Sequence, residues 1–430
     1  MKISKLLITM VVIVLAFSPL AACAASNPGH SSGPESTIAP TQNGAGDDVQ
    51  PMAFKPADSL KPAVSEALFG FSLDLFQRMA AADSGKNVFA SPLSVWLALS
   101  MTYNGASGTT AEGMAKALHA AGISLDDLNR DNAGLMGVLT AADPKVKIAI
   151  ANSIWMRDSF EQQVNADFLD RNKQYYAAGV KALDFSDAGA AGIINKWVED
   201  RTNGNIKDLV EPPIHPDAVM FLINAVHFKA PWKQAFDSKK TTDGVFTTAQ
   251  GAEVPVKYLH REEGNRGFAD DALIAARIPY ASGRLEMVAI LPQQQSLADY
   301  IQALTPEKLN EVIGKCGDTP LTLSFPKFKL EYELELNDVL KAMGMEEAFG
   351  DADFSAMSQS MGKNLVISKV KHKSFIEVNE EGTEASAATS VEMRVTGMLM
   401  SLEFSRPFLY LIRDSKTGAI LFMGAMENPA

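Results

Sequence analysis

Glu380-Glu381-Gly382-Thr383-Glu384-Ala385-Ser386-Ala387-Ala388-Thr389-Ser390-Val391-Glu392-Met393-Arg394-Val395-Thr396 is the stretch on which the reading of this chain turns. From Thr383 onward it alternates. Thr383, Ala385, Ala387, Thr389, Val391, Met393 and Val395 fall on one face. Glu384, Ser386, Ala388, Ser390, Glu392, Arg394 and Thr396 fall on the other. Period two with one apolar face is the mark of a strand. Yet the first half is small, Ala-rich and weak in β propensity. On the residues alone two readings stay open: a plain surface loop or weak edge strand, and a segment that is a loop in one state and a strand in another.

Composition bounds what surrounds this stretch. The chain has 430 residues, 47% hydrophobic and 21% charged, with a formal net charge of −12. Such fractions belong to a folded globular protein. The acidic surplus argues against a nucleic-acid partner, which needs a basic face to displace counterions from phosphates. No internal segment is long and apolar enough to span a bilayer as a helix. Two cysteines cannot make a disulfide scaffold.

The N-terminus reads as an export signal over residues 1–22. Lys2 and Lys5 give a positive start, and Leu6 to Phe17 follows as an apolar run. That run suits a signal core and is too short for a membrane-spanning helix. It leads to Leu20-Ala21-Ala22-Cys23, which resembles a bacterial lipobox and implies lipidation at Cys23. Ordinary cleavage near Ala24 or Ala25 is the alternative. Residues 23–60 read as the lipidated Cys and a flexible tether, because the stretch from Ser26 to Pro51 holds four Pro, four Gly and four Ser. The protein is expected at a bacterial cell surface or in a periplasm, anchored to a membrane by lipid.

Residues 61–430 read as one domain of class α+β, with helices early and strands late. Val64, Leu68, Phe71, Leu75 and Met79 recur at helical spacing. Ser91-Pro92 opens a second apolar helix running from Leu93 to Tyr103. Strands are predicted at Val146 to Trp155, Met220 to Phe228, Leu285 to Leu291 and Leu321 to Leu330. Phe408 to Ile412 and Ala419 to Met423 flank a turn, Asp414-Ser415-Lys416-Thr417-Gly418, and predict a hairpin.

Chemistry-bearing motifs are missing. There is no Gly-x-Ser-x-Gly, no His-Glu-x-x-His, no phosphate-cradling Gly-rich loop and no Cys-x-x-Cys. The six histidines, His30, His119, His215, His227, His260 and His372, are scattered and read as structural or surface residues. Cys316, between Gly314-Lys315 and Gly317, reads as a partly exposed inert thiol in a loop. No cofactor, metal or catalytic residue is expected, and the chain does not read as an enzyme.

The segment from Glu377 to Thr389 resembles the hinge of the reactive-centre loop of the serpins. Other stretches resemble the same family in the same order: Asn87 to Ser94, Asn104 to Thr110, Ala151 to Trp155, Ile194 to Val198 with Thr202 to Ile206, Leu222 to Lys229 with Trp232, Phe325 to Phe328, and Arg406-Pro407-Phe408 with Phe422-Met423-Gly424. The likeness covers about residues 61–430. Two departures are small: Ala230 stands where Gly is usual, and Ser405 where Asp or Asn is common.

The resemblance implies the serpin fold: a large mixed central sheet, smaller sheets, about eight or nine helices and an exposed reactive-centre loop. It implies a suicide-substrate inhibitor of serine or cysteine proteases. The cleaved loop would insert into the central sheet as a new strand, dragging the acylated protease with it. Hinge residues are then Glu380, Glu381, Gly382, Thr383, Glu384, Ala385, Ser386, Ala387 and Ala388, small enough on the inward face to slide in. Ser91, Ser94, Asn224 and His372 match the family's shutter beneath the opening strands. Trp232, Lys327 and Glu380 match the breach, where the loop first goes in. Counting from Gly382 forward and from Arg406 backward both give Thr396-Gly397 as the reactive bond, for an elastase- or subtilisin-like target. Arg394 is the alternative reactive residue, for a trypsin-like one, and Met398 or Leu399 would suit a chymotrypsin-like enzyme. The competing function is a non-inhibitory binding protein of the same fold. The stretch from Ala111 to Lys147 lacks a basic cluster, so no heparin-like site is expected, and the protein is expected to be a monomer.

Overall fold

The computed structural model describes residues 7–17, 60–202, 204, 206–262, 265–317, 321–383 and 400–430. Among them are three sheets, of seven, six and four strands. The largest contains β1 (Leu7–Phe17), β3 (Lys147–Arg157), β4 (Gly179–Leu183), β5 (Ala218–Pro231), β12 (Phe328–Glu335), β13 (Leu365–Val378) and the two-residue β14 (Gly382–Thr383), numbered in chain order. Its spatial order is β12-β13-β1-β5-β3-β4, with β14 paired to the far end of β5. Only β3 and β4 run parallel. The six-stranded sheet is β2 (Val88–Ala90), β17 (Ile420–Met426), β16 (Phe408–Asp414), β10 (Leu285–Pro292), β9 (Leu273–Pro279) and β8 (Arg266–Ala269), in that order. The third joins β15 (Met400–Glu403), β11 (Leu321–Pro326), β7 (Glu253–Arg261) and β6 (Thr242–Thr247).

The helices follow from their patterning. In Pro62–Ala82 the five apolar positions predicted for one face, Val64, Leu68, Phe71, Leu75 and Met79, are all buried. Pro92–Tyr103 is buried from Pro92 through Thr102 because it lies behind β5, β1 and β17. Ser91 caps it: the Ser94 amide donates to Ser91 Oγ at 3.1 Å, and Pro92 starts the first turn. The described residues hold ten α-helices, two of which, Asp158–Glu161 and Asn337–Leu340, are four-residue turns. The family resemblance implied about eight or nine.

β5 is buried on both faces over its first eleven residues. Leu222 and Val226 face the core behind Pro92–Tyr103, while Ile223 and Ala225 face a second cluster with Ile194 and Val198 of the helix Ala190–Arg201. A strand covered on both sides reads as a continuous apolar run rather than an alternation, and Met220 to Phe228 does so.

One expectation needs correction. The predicted strand from Leu321 to Leu330 is two strands in two different sheets, broken at Lys327, whose amide donates to Lys257 O at 2.8 Å. The apolar run from Leu6 to Phe17, read as a signal core, here contributes the eleven-residue strand β1 between β13 and β5. Ile8, Thr9, Val11, Val12, Ile13 and Val14 are β-branched, so the same composition that suits a leader suits a strand in the middle of a sheet. The hairpin of β16 and β17 carries the expected turn, with Gly418 at φ +77° and Asp414 accepting from Thr417 Oγ1 at 2.7 Å. Arg284 grips the same carboxylate through Nε and Nη2 at 2.8 and 3.0 Å.

Candidate functional site: the opening of the central sheet

β5 and β13 lie a full strand apart, with β1 between them, and the candidate residues gather along this seam. At its far end the chain leaves β13, turns at Asn379 to Glu381, and pairs Gly382 with Pro231 and Thr383 with Ala230. Gly382 has φ +136°, and a Cβ there would stand 2.5 Å from Ala230 O and 2.6 Å from Trp232 N. Only glycine fits this backbone and this approach. Ala230, at the family's usual Gly, is fully buried against the pairing.

The turn is held from below. Trp232 Nε1 donates to Asn379 O at 3.0 Å, its amide donates to Glu381 O at 3.1 Å, and the Phe236 amide donates to Glu380 O at 2.8 Å. Trp232 is itself fixed by stacking on Tyr280, with ring centres 4.4 Å apart. Lys327 Nζ reaches both carboxylate oxygens of Glu380, at 2.8 and 3.2 Å, and Thr241 Oγ1 donates to Oε1 at 3.0 Å. Partial burial works against the Glu380 carboxylate, but Lys327, the backbone and Thr241 outweigh it and hold its pKa below the ordinary value. The break at Lys327 thus has a purpose: leaving the strand frees its side chain to face Glu380.

Midway down the seam the second group meets. The Ser91 amide donates to His372 Nε2 at 3.3 Å. Ser94 Oγ donates to Asn224 Oδ1, and Asn224 Nδ2 donates to Asn152 Oδ1 at 2.7 Å. Asn152 Nδ2 continues to Tyr176 O at 2.7 Å. All of Ser91, Ser94, Asn224 and His372 are fully buried. Asn224 belongs to β5 and His372 to β13, and both sit opposite Val11 of β1. The structure therefore brings all four together around one point of the seam, with one strand threaded between Asn224 and His372.

Sequence reasoning missed Thr241, Phe236 and Asn152 as members of these groups. Asn152 had a signal, a polar residue inside an otherwise apolar strand pattern; Thr241 and Phe236 had none. Cys23, the hinge residues Glu384, Ala385, Ser386, Ala387 and Ala388, the residues Arg394, Thr396 and Gly397, and Met398 and Leu399 lie outside the described residues. Cys316 is not partly exposed: it is buried at the C-terminus of the helix Pro306–Lys315, its thiol donating to Val312 O at 3.3 Å and pushed up to about 12 by burial. Among the described residues no group of His, Cys, Asp and Glu is arranged to hold a metal ion.

Two consequences are testable. Asn224→Ala leaves Ser94 Oγ and Asn152 Oδ1 without this partner in a buried site, at about 1–3 kcal/mol each. The variant is expected to melt well below wild type in calorimetry. For Glu380 the folded-state pKa is depressed, so its contribution is complete above the ordinary carboxylate pKa and is lost as pH falls through the lower, folded value. Lys327 is half-exposed, which screens the pair and keeps it on the order of 1 kcal/mol. The gap in melting temperature between wild type and Glu380→Gln should be constant from pH 7 to about pH 5 and close below about pH 4.

Comparison with known proteins accounts for this architecture. The family model described as Serpin (serine protease inhibitor) matches residues 66–429. An uncharacterized serpin-like protein of Thermococcus kodakarensis, TK1782, is 34% identical over 415 residues, covering 93% of this chain and 95% of its own length. Neuroserpin of Rattus norvegicus is 34% identical over 379 residues, 85% of this chain and 91% of its own. The crystal structure of the thermophilic serpin tengpin in the native state superposes with a TM-score of 0.76 at 34% identity, covering 88% of this chain and 97% of that one. With a seam-and-hinge geometry of this kind and relatives matched along nearly their whole length, the chain belongs to the serpin family.

Proposed function

We propose that this serpin is a suicide-substrate inhibitor of serine proteases, not an enzyme, working by insertion of the cleaved loop into the seam between β5 and β13. The observation that carries the reading is the seam itself. It accepts an extra strand antiparallel to both neighbours, and the hinge at Gly382–Thr383 is already hydrogen-bonded to the end of β5 from which such a strand would run down. The physics favours insertion once the loop is cut. Each ladder bond contributes about 0.5–1.5 kcal/mol net, and roughly fourteen residues from Thr383 to Thr396 extend about 46 Å, across the length of the sheet. Before cutting, the loop is tethered at both ends, so the molecule is held above its lowest free energy by a barrier.

Thr396-Gly397 is the reactive bond in this reading. A small β-branched residue after Val395 suits a shallow apolar specificity pocket of the elastase or subtilisin kind. Mixed with such a protease, the chain freed of residues 1–22 is expected to give a covalent complex that survives a denaturing gel. Mass spectrometry of the released fragment should begin at Gly397; a fragment beginning at Val395 would assign the bond to Arg394. Thr383→Arg puts a charge at an inward position, where burial without a partner costs several kcal/mol. That variant should be cut without forming complex, and unchanged inhibition by it would refute insertion. A non-inhibitory binding protein of this fold would melt at the same temperature before and after loop cleavage; a large rise is expected here.

We also propose that the chain is exported and lipidated at Cys23, so that the inhibitor acts at a membrane surface. The positive start at Lys2 and Lys5, the apolar run after it and Leu20-Ala21-Ala22-Cys23 support this. Cells expressing the chain with labelled palmitate should label the protein, and Cys23→Ala should abolish the label.

A further inference from the structure

The strand that fills the seam in this structure comes from the N-terminus, and it occupies the path a cleaved loop would take. β1 runs antiparallel to both β5 and β13, from Leu7 opposite Phe228 to Phe17 opposite Leu365. The direction matches that of a strand continuing from Thr383 down β5. The register matches as well. Continued residue by residue from Thr383 opposite Ala230, such a strand would set Ala385 opposite Phe228, Thr389 opposite Asn224 and Val391 opposite Leu222. Those partners are taken by Leu7, Val11 and Ile13. Ile13 is fully buried in the main core, on the face where Val391 would point, and Val14 packs against the opposite cluster. The hinge strand stops at Ala230, and the leader begins two residues further down, at Phe228.

One seam cannot hold two strands. The leader is also the better strand, since its middle is β-branched where residues 384–388 are small or charged. Being tethered to the same chain, it competes at a high effective concentration. We infer that Leu7–Phe17 is a built-in plug: a chain that folds with its leader attached has its insertion seam filled and is a mere substrate, and removal of the leader arms the inhibitor. The arming half rests on the insertion reading proposed above; the plug itself does not. A chain that escapes export would in this way be harmless to the proteases of the compartment in which it was made.

The test uses the full chain, residues 1–430, as wild type and with Ile13→Asp or Val11→Pro. The first puts a charge in the core; the second removes a ladder donor from the middle of a sheet. Neither changes a residue of the serpin body, 61–430, and each serves as a check on the other. Amide exchange over residues 7–17 is expected to be at least about 100-fold slower in wild type than in either variant. An elastase-like protease is expected to cut the wild-type loop without being trapped and to form covalent complex with both variants. Leader amides that exchange in wild type as fast as in the variants would overturn the plug, whatever the protease does. A wild-type chain with a protected leader that traps protease as efficiently as the variants would overturn the lock. If the leader is protected in wild type and released in the variants, yet nothing traps, the plug stands and the inhibitory reading fails.

Discussion

The constraint on which the rest depends is that β5 and β13 do not pair with each other in this structure. They stand a strand apart, and the backbone donors and acceptors that line the seam need a partner in the buried interior of a sheet covered on both faces. Unpaired, such groups are costly. Among the described residues, no segment between β5 and β13 in sequence fills the place. The candidates come from elsewhere: the stretch after Thr383, joined to β13 by a short turn, and the apolar N-terminus. A seam that one strand fills and a second could enter gives a sheet whose state depends on which strand arrives, and on the reading proposed above function then turns on kinetics and covalent history.

The two polar groups along the seam read naturally in this light. Both bridge elements that must separate or stay together when a strand goes in. Ser91 and Ser94 sit on the helix behind the sheet and reach β13 through His372 and β5 through Asn224. They tie each strand to a common support, not to the other strand, so the network survives with a strand threaded through it, as Val11 demonstrates. At the end of the seam, Lys327 and Thr241 hold Glu380, and Trp232 holds the turn's carbonyls, so the hinge starts from a fixed point with only Gly382 able to take the required backbone. Hydrogen bonds suit such duties better than apolar packing, because they fix direction and fail abruptly when geometry is lost.

How much of this was legible in the sequence varies with the physics of each part. The helix Pro62–Ala82 was plain, since its five apolar positions need only a single face to be buried. The hairpin of β16 and β17 was plain because a turn with Asp and Gly punctuates it. The split at Lys327 had a signal that the sequence reading passed over: apolar positions fall at Leu321, Leu323 and Phe325 and then slip to Phe328 and Leu330 across Pro326, where Lys327 turns its amide to Lys257. Cys316 was misplaced because Gly314 and Gly317 around it suggest an open loop, whereas the thiol turns inward and bonds the helix it ends. Grouping Ser91, Ser94, Asn224 and His372 required the family resemblance, for their spacing in sequence carries no hint that they meet. Thr241 was invisible on any grounds, being one threonine among many until Glu380 arrives beside it.

The run from Leu6 to Phe17 is the most instructive case, because periodicity does not distinguish its two fates. A short continuous apolar stretch is at once a good signal core and a good strand for a sheet buried on both sides. The loop after Thr383 has the opposite character: alternating, small at first, and poor as a strand by propensity. That difference follows from what each must avoid. On the insertion reading proposed above, a segment that must insert only after cleavage could not be a strong strand without inserting early, so weakness there would preserve the barrier. If Leu7–Phe17 is a leader that is removed, as proposed, it is under no such restraint, and nothing in its composition discourages it from taking the seam first. On the proposals above, a sheet that needs a late partner is exposed to an early one, and cutting the chain near Cys23 would resolve the conflict by deleting the stronger competitor first.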